Sequence, residues 1–122
     1  MILDGQAKKL KIIIPESEKV YQRSLYEAIV FAAKKYALAG TTVTKGLMGY
    51  GANGLTNSSK TYDISYEPPI IIEIVDKAGR IDDFAKVVAG LLDKANGAGI
   101  IYLQDVDIIS YRKHEEVKPY AK

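Results

Sequence analysis

The sequence predicts an α+β fold, a four-stranded antiparallel sheet with two helices on one face, which is the ferredoxin-like arrangement. Two segments with apolar residues at helical spacing lie between segments of strand character, and each helical segment is long enough to connect two strands. The element order is therefore β-α-β-β-α-β. The predicted strands cover Lys8–Ile14, Thr41–Met48, Pro69–Val75 and Ile100–Arg112.

The first half of the chain provides one strand and one helix. In the strand Lys8–Ile14, the apolar residues Leu10, Ile12 and Ile14 alternate with Lys9, Lys11 and Ile13, as expected for a strand with one buried face. The polar segment Glu16–Arg23 has no clear period and is predicted to be a loop or a loose turn. Ser24 and Glu27 form the pattern of a capping box at the start of the first helix. Gly40 is expected to end that helix because glycine adopts the left-handed backbone conformation at no steric cost.

The second half repeats the pattern. The strand Pro69–Val75 is almost entirely apolar, which predicts burial on both faces, or on one face plus a subunit contact. A turn is expected at Asp76–Gly79, followed by an amphipathic helix at about Arg80–Ala95. In the last strand, Ile100–Arg112, the parity of the apolar positions shifts at Gln104–Asp105, which predicts a bulge or bend.

A glycine-rich neck, Lys45–Gly51, joins the second and third strands through a long polar loop at residues 52–66. A loop of this length inside a compact domain is more often functional than idle. We therefore expect a mobile loop that leaves a rigid sheet through a hinge.

Composition excludes several classes of function. The chain, 1–122, is expected to be a single domain that ends in a charged tail at 114–122. It has no cysteine and one histidine, so it can form neither a disulfide nor a histidine cluster, and a net charge of +2 is too small to indicate nucleic-acid binding. There is no apolar run long enough to span a membrane and no signal-peptide pattern, which predicts a cytoplasmic protein.

Two other functions of this fold find little support. An RNA-recognition module needs exposed aromatic residues on its first and third strands, and neither strand has one. An acyl-phosphate hydrolase would have to use Arg23 and Asn53, but no phosphate-binding loop follows the first strand. No nucleophile–base pair is present, so we predict a binding and signalling protein and not an enzyme. Because the helices cover only one sheet face, the apolar second face is expected to be buried in an oligomer.

Five segments resemble a PII-type signalling protein, and in particular a divergent, mostly uncharacterised PII-like branch. The resemblance covers about residues 8–113. It includes a glycine neck, an Ile-Glu-Ile-Val strand, a glycine-bearing loop before the last strand and a basic end to that strand. The segments are Leu25–Val30, Thr41–Gly51, Ile72–Val75, Gly97–Ile100 and Tyr111–Arg112.

The resemblance implies a homotrimer that binds an adenine nucleotide (AMP, ADP, ATP or cyclic AMP) in clefts between subunits, with no required cofactor. It also implies that the loop at 52–66 acts as a T-loop and engages a partner such as a membrane transporter or channel. The ligand-binding residues that it implies are Lys45, Gly46, Leu47, Met48, Gly49, Tyr50, Glu73, Val75, Gly97, Gly99 and Arg112.

These residue types suit a nucleotide. Glycine lets a backbone approach a ligand closely, successive N–H groups bind anions, and arginine grips phosphate oxygens. Each residue type also has an ordinary structural role. A glycine can end a strand, and Arg112 can form a surface ion pair. Basic residues are few around the implied cleft, since Pro69 stands where a lysine is expected and no lysine follows Gly99. AMP, ADP or a cyclic nucleotide is therefore expected before ATP, or else the cleft binds a different kind of ligand. The alternative is a CutA-like structural or metal-tolerance trimer, which would have a short, ordered connection in place of the long loop.

Overall fold

The computed structural model describes residues 6–47 and 68–114. Its main sheet has four antiparallel strands in the order β4-β5-β1-β6, and a separate two-stranded hairpin is formed by β2 and β3. The predicted ferredoxin-like order of long strands and helices is confirmed. The elements are β1 Gln6–Pro15, β2 Lys19–Val20, β3 Arg23–Ser24, α1 Leu25–Lys35, β4 Gly40–Lys45, β5 Pro69–Lys77, α2 Ala78–Ala95 and β6 Ile100–Asp107.

The core lies between the sheet and the two helices. Alternate residues of β1 and β5 point towards the helices and are buried, and each helix contributes one apolar stripe. Burying a large aliphatic or aromatic side chain contributes about 1.5–3 kcal/mol, so this layer stabilises the domain. Its members include Leu10, Ile12, Ile14, Leu25, Ile29, Ile70, Ile72, Ile74, Ile81, Phe84 and Val88.

The other face of the sheet is not covered by a helix. Its side chains form rows across the strands, because directly paired residues of antiparallel strands share a face. One row is apolar and consists of Ile13, Ile71 and Ile100. The next row is polar and includes Lys11 and Glu73. The third long strand is thus buried on its helix side and only half-buried on this open face.

The predicted start of the first helix is confirmed, whereas its predicted end at Gly40 and its capping hydrogen bond are wrong. Ser24 occupies the N-cap position, but its side chain makes no capping hydrogen bond. The helix ends at Lys35, and the left-handed conformation falls on Ala37, with φ 55°, instead of Gly40, which begins β4. The Arg80 guanidinium donates hydrogen bonds to the carbonyl oxygen atoms of Tyr36 and Ala37. A side chain from outside the helix thus satisfies the acceptors at this helix end.

The turn predicted after the third long strand is also wrong, since β5 runs through Lys77 and α2 begins at Ala78. Asp76, which is fully buried, fixes this junction. Its carboxylate accepts hydrogen bonds from the backbone N–H groups of Ala39 (2.8 Å) and Lys77 (2.6 Å) and lies 3.4 Å from Arg80 Nε. A buried carboxylate needs such partners, and here they connect the end of α1 to the start of α2.

The predicted bulge in the last strand is absent, because the register of β6 with β1 is unbroken from Ile100 to Asp107. The parity of apolar residues shifts because Val106 lies on the open face opposite Ala7, whereas Ile101 and Leu103 lie on the helix face. The strand ends at Asp107 and does not reach Arg112.

Two further boundaries differ from the prediction. The second long strand, β4, ends at Lys45. The segment predicted as a loop, Glu16–Arg23, contains the β2–β3 hairpin, in which Tyr21 and Gln22 have φ values of 52° and 65°. Two successive positive φ values are typical of a tight two-residue hairpin turn. Among the described residues, no helix is both long and apolar enough to cross a membrane.

Candidate functional site

One end of the sheet, which we call the neck end, combines several of the residues predicted to bind ligand. Here β1 and β4 finish and β5 and β6 begin, so that Pro15 pairs with Pro69 and Lys45 pairs with Ile70. The loop that follows β1 and the turn that precedes β6 meet at this end. The neck end therefore contains the described start of the neck and the Gly97–Gly99 turn.

The start of the neck is held closely to the sheet. Lys45 Nζ lies 3.0 Å from Glu16 Oε2, and the N–H of Gly46 donates to the carbonyl oxygen of Pro69 at 2.7 Å. A Cβ atom on Gly46 would lie only 2.6 Å from Cγ of Pro69, which explains a glycine at this position without a ligand. Leu47 is 96% exposed and is available to a ligand or to another chain.

The rest of the neck, Met48, Gly49 and Tyr50, lies outside the described residues, as do the predicted T-loop at 52–66 and the tail after His114. Their predicted roles remain predictions.

The Gly97–Gly99 turn already has hydrogen-bond partners within the chain. The N–H of Gly97 donates to the carbonyl oxygen of Leu92 at 3.1 Å, which satisfies the end of α2. The N–H of Ala98 donates to Glu18 Oε2 at 3.0 Å. Glu18 also fills the space next to Gly97, since a Cβ atom there would lie 3.1 Å from the carboxyl carbon.

Gly99 permits a close approach of the backbone to the core. Its φ is 156°, and a Cβ atom would lie 2.6 Å from Cγ2 of Ile14 and 2.9 Å from the carbonyl oxygen of Ile13. Contacts under 3.0 Å are too short for a real Cβ atom, and one of these two is with backbone. The glycine is thus required by packing, whether or not phosphate also binds near it.

Glu73 lies in the middle of the open face. Its carboxylate is 3.3 Å from Lys9 Nζ and 3.7 Å from Lys11 Nζ. A half-buried carboxylate in an apolar strand needs a partner, and here two lysines from the neighbouring strand of the same chain provide it. The three side chains are a quarter to a third exposed, so each ion pair contributes modestly to stability.

Val75 and Arg112 lie towards the opposite end of the sheet. Val75 lines a shallow depression of about 360 Å³ on the open face. The segment after β6 borders this depression, and its Tyr111 hydroxyl donates to the carbonyl oxygen of Ala39 at 3.1 Å. Arg112 is exposed, and its Nε lies 3.4 Å from the hydroxyl oxygen of Ser110.

The predicted binding residues thus do not converge within one chain. Lys45 pairs with Ile70 at the neck end, and Val75 lies five residues after Ile70 on β5. At 3.3–3.4 Å per residue, Ile70 and Val75 are about 17 Å apart along the strand. Arg112 immediately follows Tyr111, which borders the depression that Val75 lines. The two groups of residues thus lie at different ends of the sheet in a single chain.

Sequence reasoning missed the two carboxylates of the loop after β1. Glu16 and Glu18 contact Lys45 and Ala98, respectively, one on either side of that loop. The only signal in the sequence was a pair of acidic residues in a polar segment, and nothing local identifies a partner as far as 80 positions away.

A separate charge pair lies on the helix side of the sheet. Lys8 Nζ donates to Asp82 Oδ1 at 2.8 Å. This hydrogen bond, together with the negative charges of Asp82 and Asp105, raises the pKa of Lys8 above its ordinary value of 10.5, and desolvation opposes the rise. The pair links β1 to the first turns of α2.

A family model described as "Uncharacterized ACR, COG1993", the DUF190 family, matches residues 7–108. The chain belongs to the DUF190 family. A "UPF0166 protein" of Aquifex aeolicus is 30% identical over 102 residues, covering 84% of this chain and 92% of the relative. A "UPF0166 protein" of Methanocaldococcus jannaschii is 30% identical over 110 residues, covering 90% and 98%.

Solved structures with the same fold are PII-like proteins. One is CPII of Thiomonas intermedia K12, a nitrogen regulatory PII-like protein bound to ADP, AMP and bicarbonate. It has a TM-score of 0.60 and 16% identity, and the match covers 85% of this chain and 89% of that one. A PII-like signalling protein of Thermus thermophilus has a TM-score of 0.50 and 20% identity, with 87% and 91% covered. The predicted resemblance of this DUF190 chain to PII-like proteins is confirmed at the level of the fold.

Proposed function

We propose that this DUF190 protein is a non-enzymatic, PII-like regulator that binds an adenine nucleotide in clefts between the subunits of a homotrimer. The observation that carries the proposal is the division of the predicted binding residues between two ends of the sheet. The neck end supplies Lys45 to Leu47 and the Gly97–Gly99 turn, and the opposite end supplies Val75 and Arg112. Neighbouring subunits would bring these two ends together.

The open face of the sheet supports the oligomer. The row of Ile13, Ile71 and Ile100 lies on a face that no helix covers, and Ile100 is 55% exposed in the single chain. Contiguous exposed apolar surface commonly marks a protein–protein interface. A copy of the same chain is the occupant that this fold and a closed, symmetric assembly favour.

The PII-like relatives of known structure support an adenine nucleotide, since CPII was solved bound to ADP and AMP. The charges favour a ligand with few phosphate groups. Lys45 is paired with Glu16, and Arg23, in the hairpin that follows β1, lies over the ring of Phe31. We propose AMP, ADP or cyclic AMP as the effector in preference to ATP, because a triphosphate would be under-neutralised.

The regulatory output is assigned to the T-loop-like segment at 52–66, which would engage a partner such as a membrane transporter or channel in the cytoplasm. This part of the proposal rests on the sequence resemblance to PII-type proteins and on the position of the neck at the end of β4.

Calorimetric titration of the full chain with AMP, ADP, ATP and cyclic AMP, with and without Mg²⁺, tests the ligand. Lys45→Gln should weaken binding several-fold, because it removes a cation from the neck. Lys86→Gln is the matched control, since it removes the same charge from the exposed surface of α2. Absence of heat and of a thermal shift with all four nucleotides would refute the proposed ligand.

Light scattering tests the assembly. Ile100→Asp should convert a trimer into a monomer, because it places a charge in the apolar row of the open face. Ile109→Asp introduces the same charge at a 94% exposed position after β6 and should leave the trimer intact. A wild-type chain that is monomeric at all concentrations would contradict the intersubunit cleft. A segment 52–66 that resists proteolysis without ligand would favour the CutA-like alternative.

A further inference from the structure

The Glu18 carboxylate occupies the backbone turn at which the proposed function expects phosphate. Glu18 Oε2 accepts a hydrogen bond from the Ala98 N–H at 3.0 Å. The absence of a side chain on Gly97 makes room for this contact, since a Cβ atom there would lie 3.1 Å from both the carboxyl carbon and Oε1. The space beside Gly97 that could accept a phosphate group is thus filled by the Glu18 carboxylate of the same chain.

A carboxylate oxygen and a phosphate oxygen compete for the same kind of donor. Both are anionic acceptors, and both form short, charge-assisted hydrogen bonds with backbone N–H groups. One N–H group cannot donate fully to both. A phosphate group that uses the Ala98 N–H must therefore displace Glu18, and the negative charge of Glu18 also repels the phosphate until it moves away.

The contact can be exchanged without unfolding the loop. The Glu18 backbone is fixed separately, because its carbonyl oxygen accepts the N–H of Leu25 at 2.8 Å. The side chain can therefore rotate about its own bonds while the loop stays in place. Glu18 is half-buried, and within residues 6–47 and 68–114 it takes part in none of the ion pairs that the structure forms. Rotation into water restores hydration of the carboxylate and breaks no ion pair.

We propose that Glu18 is an internal competitor for the phosphate site at the Gly97–Gly99 turn, which the carboxylate occupies in the free protein and vacates when a phosphate group binds. This competition sets a minimum affinity for binding. Weakly held anions do not displace the carboxylate, whereas a ligand that also binds elsewhere in the cleft does. That the natural ligand is a nucleotide rests on the proposed function. That a phosphate group binds at this turn rests on it as well, whereas the exchange itself can be measured with inorganic phosphate alone.

The experiment compares wild type with Glu18→Gln and Glu18→Ala by titration of the full-length, isotope-labelled protein with inorganic phosphate. The Ala98 amide resonance reports the site. We expect the apparent Kd for phosphate to fall roughly ten-fold in Glu18→Gln, which keeps the shape of the side chain but loses the charge, and at least as much in Glu18→Ala. Asp93→Asn is the matched control. It removes the same charge from an exposed position three residues before Asn96, without contacting Ala98, and should change the Kd less than two-fold.

Parallel titrations with AMP and with adenosine separate the two proposals. Tighter binding of AMP but unchanged binding of adenosine in the Glu18 variants supports both. A response of the Ala98 amide to phosphate, with no binding of any nucleotide, supports the competitor and refutes the proposed ligand. Equal phosphate affinity in wild type and in both variants, an equal gain in Asp93→Asn, or nucleotide binding that leaves the Ala98 amide unchanged would overturn the role of Glu18.

Discussion

Gly99→Ala provides a sharp test of how the neck end is packed. The new methyl group would lie 2.6 Å from Cγ2 of Ile14, a core side chain that is 1% exposed, and 2.9 Å from the carbonyl oxygen of Ile13. Neither neighbour can move away easily, because one is confined by the core and the other is the backbone of the central strand β1. The backbone of Gly99, at φ 156°, adds strain for any residue with a side chain.

The expected cost follows from these two contributions. Overpacking a well-packed core typically costs about 1–3 kcal/mol, and an unfavourable backbone conformation costs about 1–3 kcal/mol more. We therefore expect Gly99→Ala to lower the free energy of unfolding by about 2–6 kcal/mol. This is a large fraction of the roughly 5–15 kcal/mol that stabilises a typical domain.

Gly90→Ala is the matched control. Gly90 lies inside α2, and a Cβ atom there meets nothing within 4 Å. The same substitution should therefore stabilise the protein by about 0.5–1 kcal/mol, because alanine loses less backbone entropy in a helix. Urea denaturation followed by circular dichroism, at one protein concentration, measures both variants. If Gly99→Ala were as stable as wild type while losing nucleotide affinity, Gly99 would serve the ligand and the packing argument would be wrong.

Three further outcomes are expected. Asp76→Ala should destabilise the protein by about 2–4 kcal/mol in urea denaturation, because buried N–H groups lose their acceptor, and Asp76→Asn should cost less. Because its pKa is raised in the folded state, protonated Lys8 stabilises the fold below about pH 10.5, and this contribution is lost as the pH rises through the raised pKa. The difference in unfolding free energy between wild type and Asp82→Asn should therefore shrink in alkaline buffer. A difference that stays constant from about pH 8 to 12 would contradict this. Gly46→Ala should cost about 1–3 kcal/mol, since its Cβ atom would collide with the rigid ring of Pro69, and an unchanged midpoint would show that the neck yields freely.

The sequence by itself determined the order of the elements and the buried faces. Residues of β1 alternate because Leu10, Ile12 and Ile14 must leave water, and the stripe of Ile81, Phe84 and Val88 has helical spacing for the same reason. This signal is local, because hydrophobic side chains partition by their own chemistry whatever their partners are. The family resemblance also came from short, contiguous segments.

The tertiary structure alone decided how the ends of the elements are satisfied. The Ser24 capping bond does not form, and the N–H of Leu25, the first residue of the helix, donates to the carbonyl oxygen of Glu18. The end of α1 depends on Arg80, more than 40 positions away. Such choices depend on which donors and acceptors the folded chain brings within about 3 Å, and sequence periodicity carries no information about them.

The neck end shows the same division of information. The sequence identified Lys45, Gly97 and Gly99 by their chemical type and by resemblance. Only the folded chain shows that two carboxylates already hold this region, Glu16 on Lys45 and Glu18 on the Ala98 N–H, and that Arg112 lies at the opposite end of the sheet. A residue type indicates which ligand it suits, but the distances set by the fold decide which partner it has.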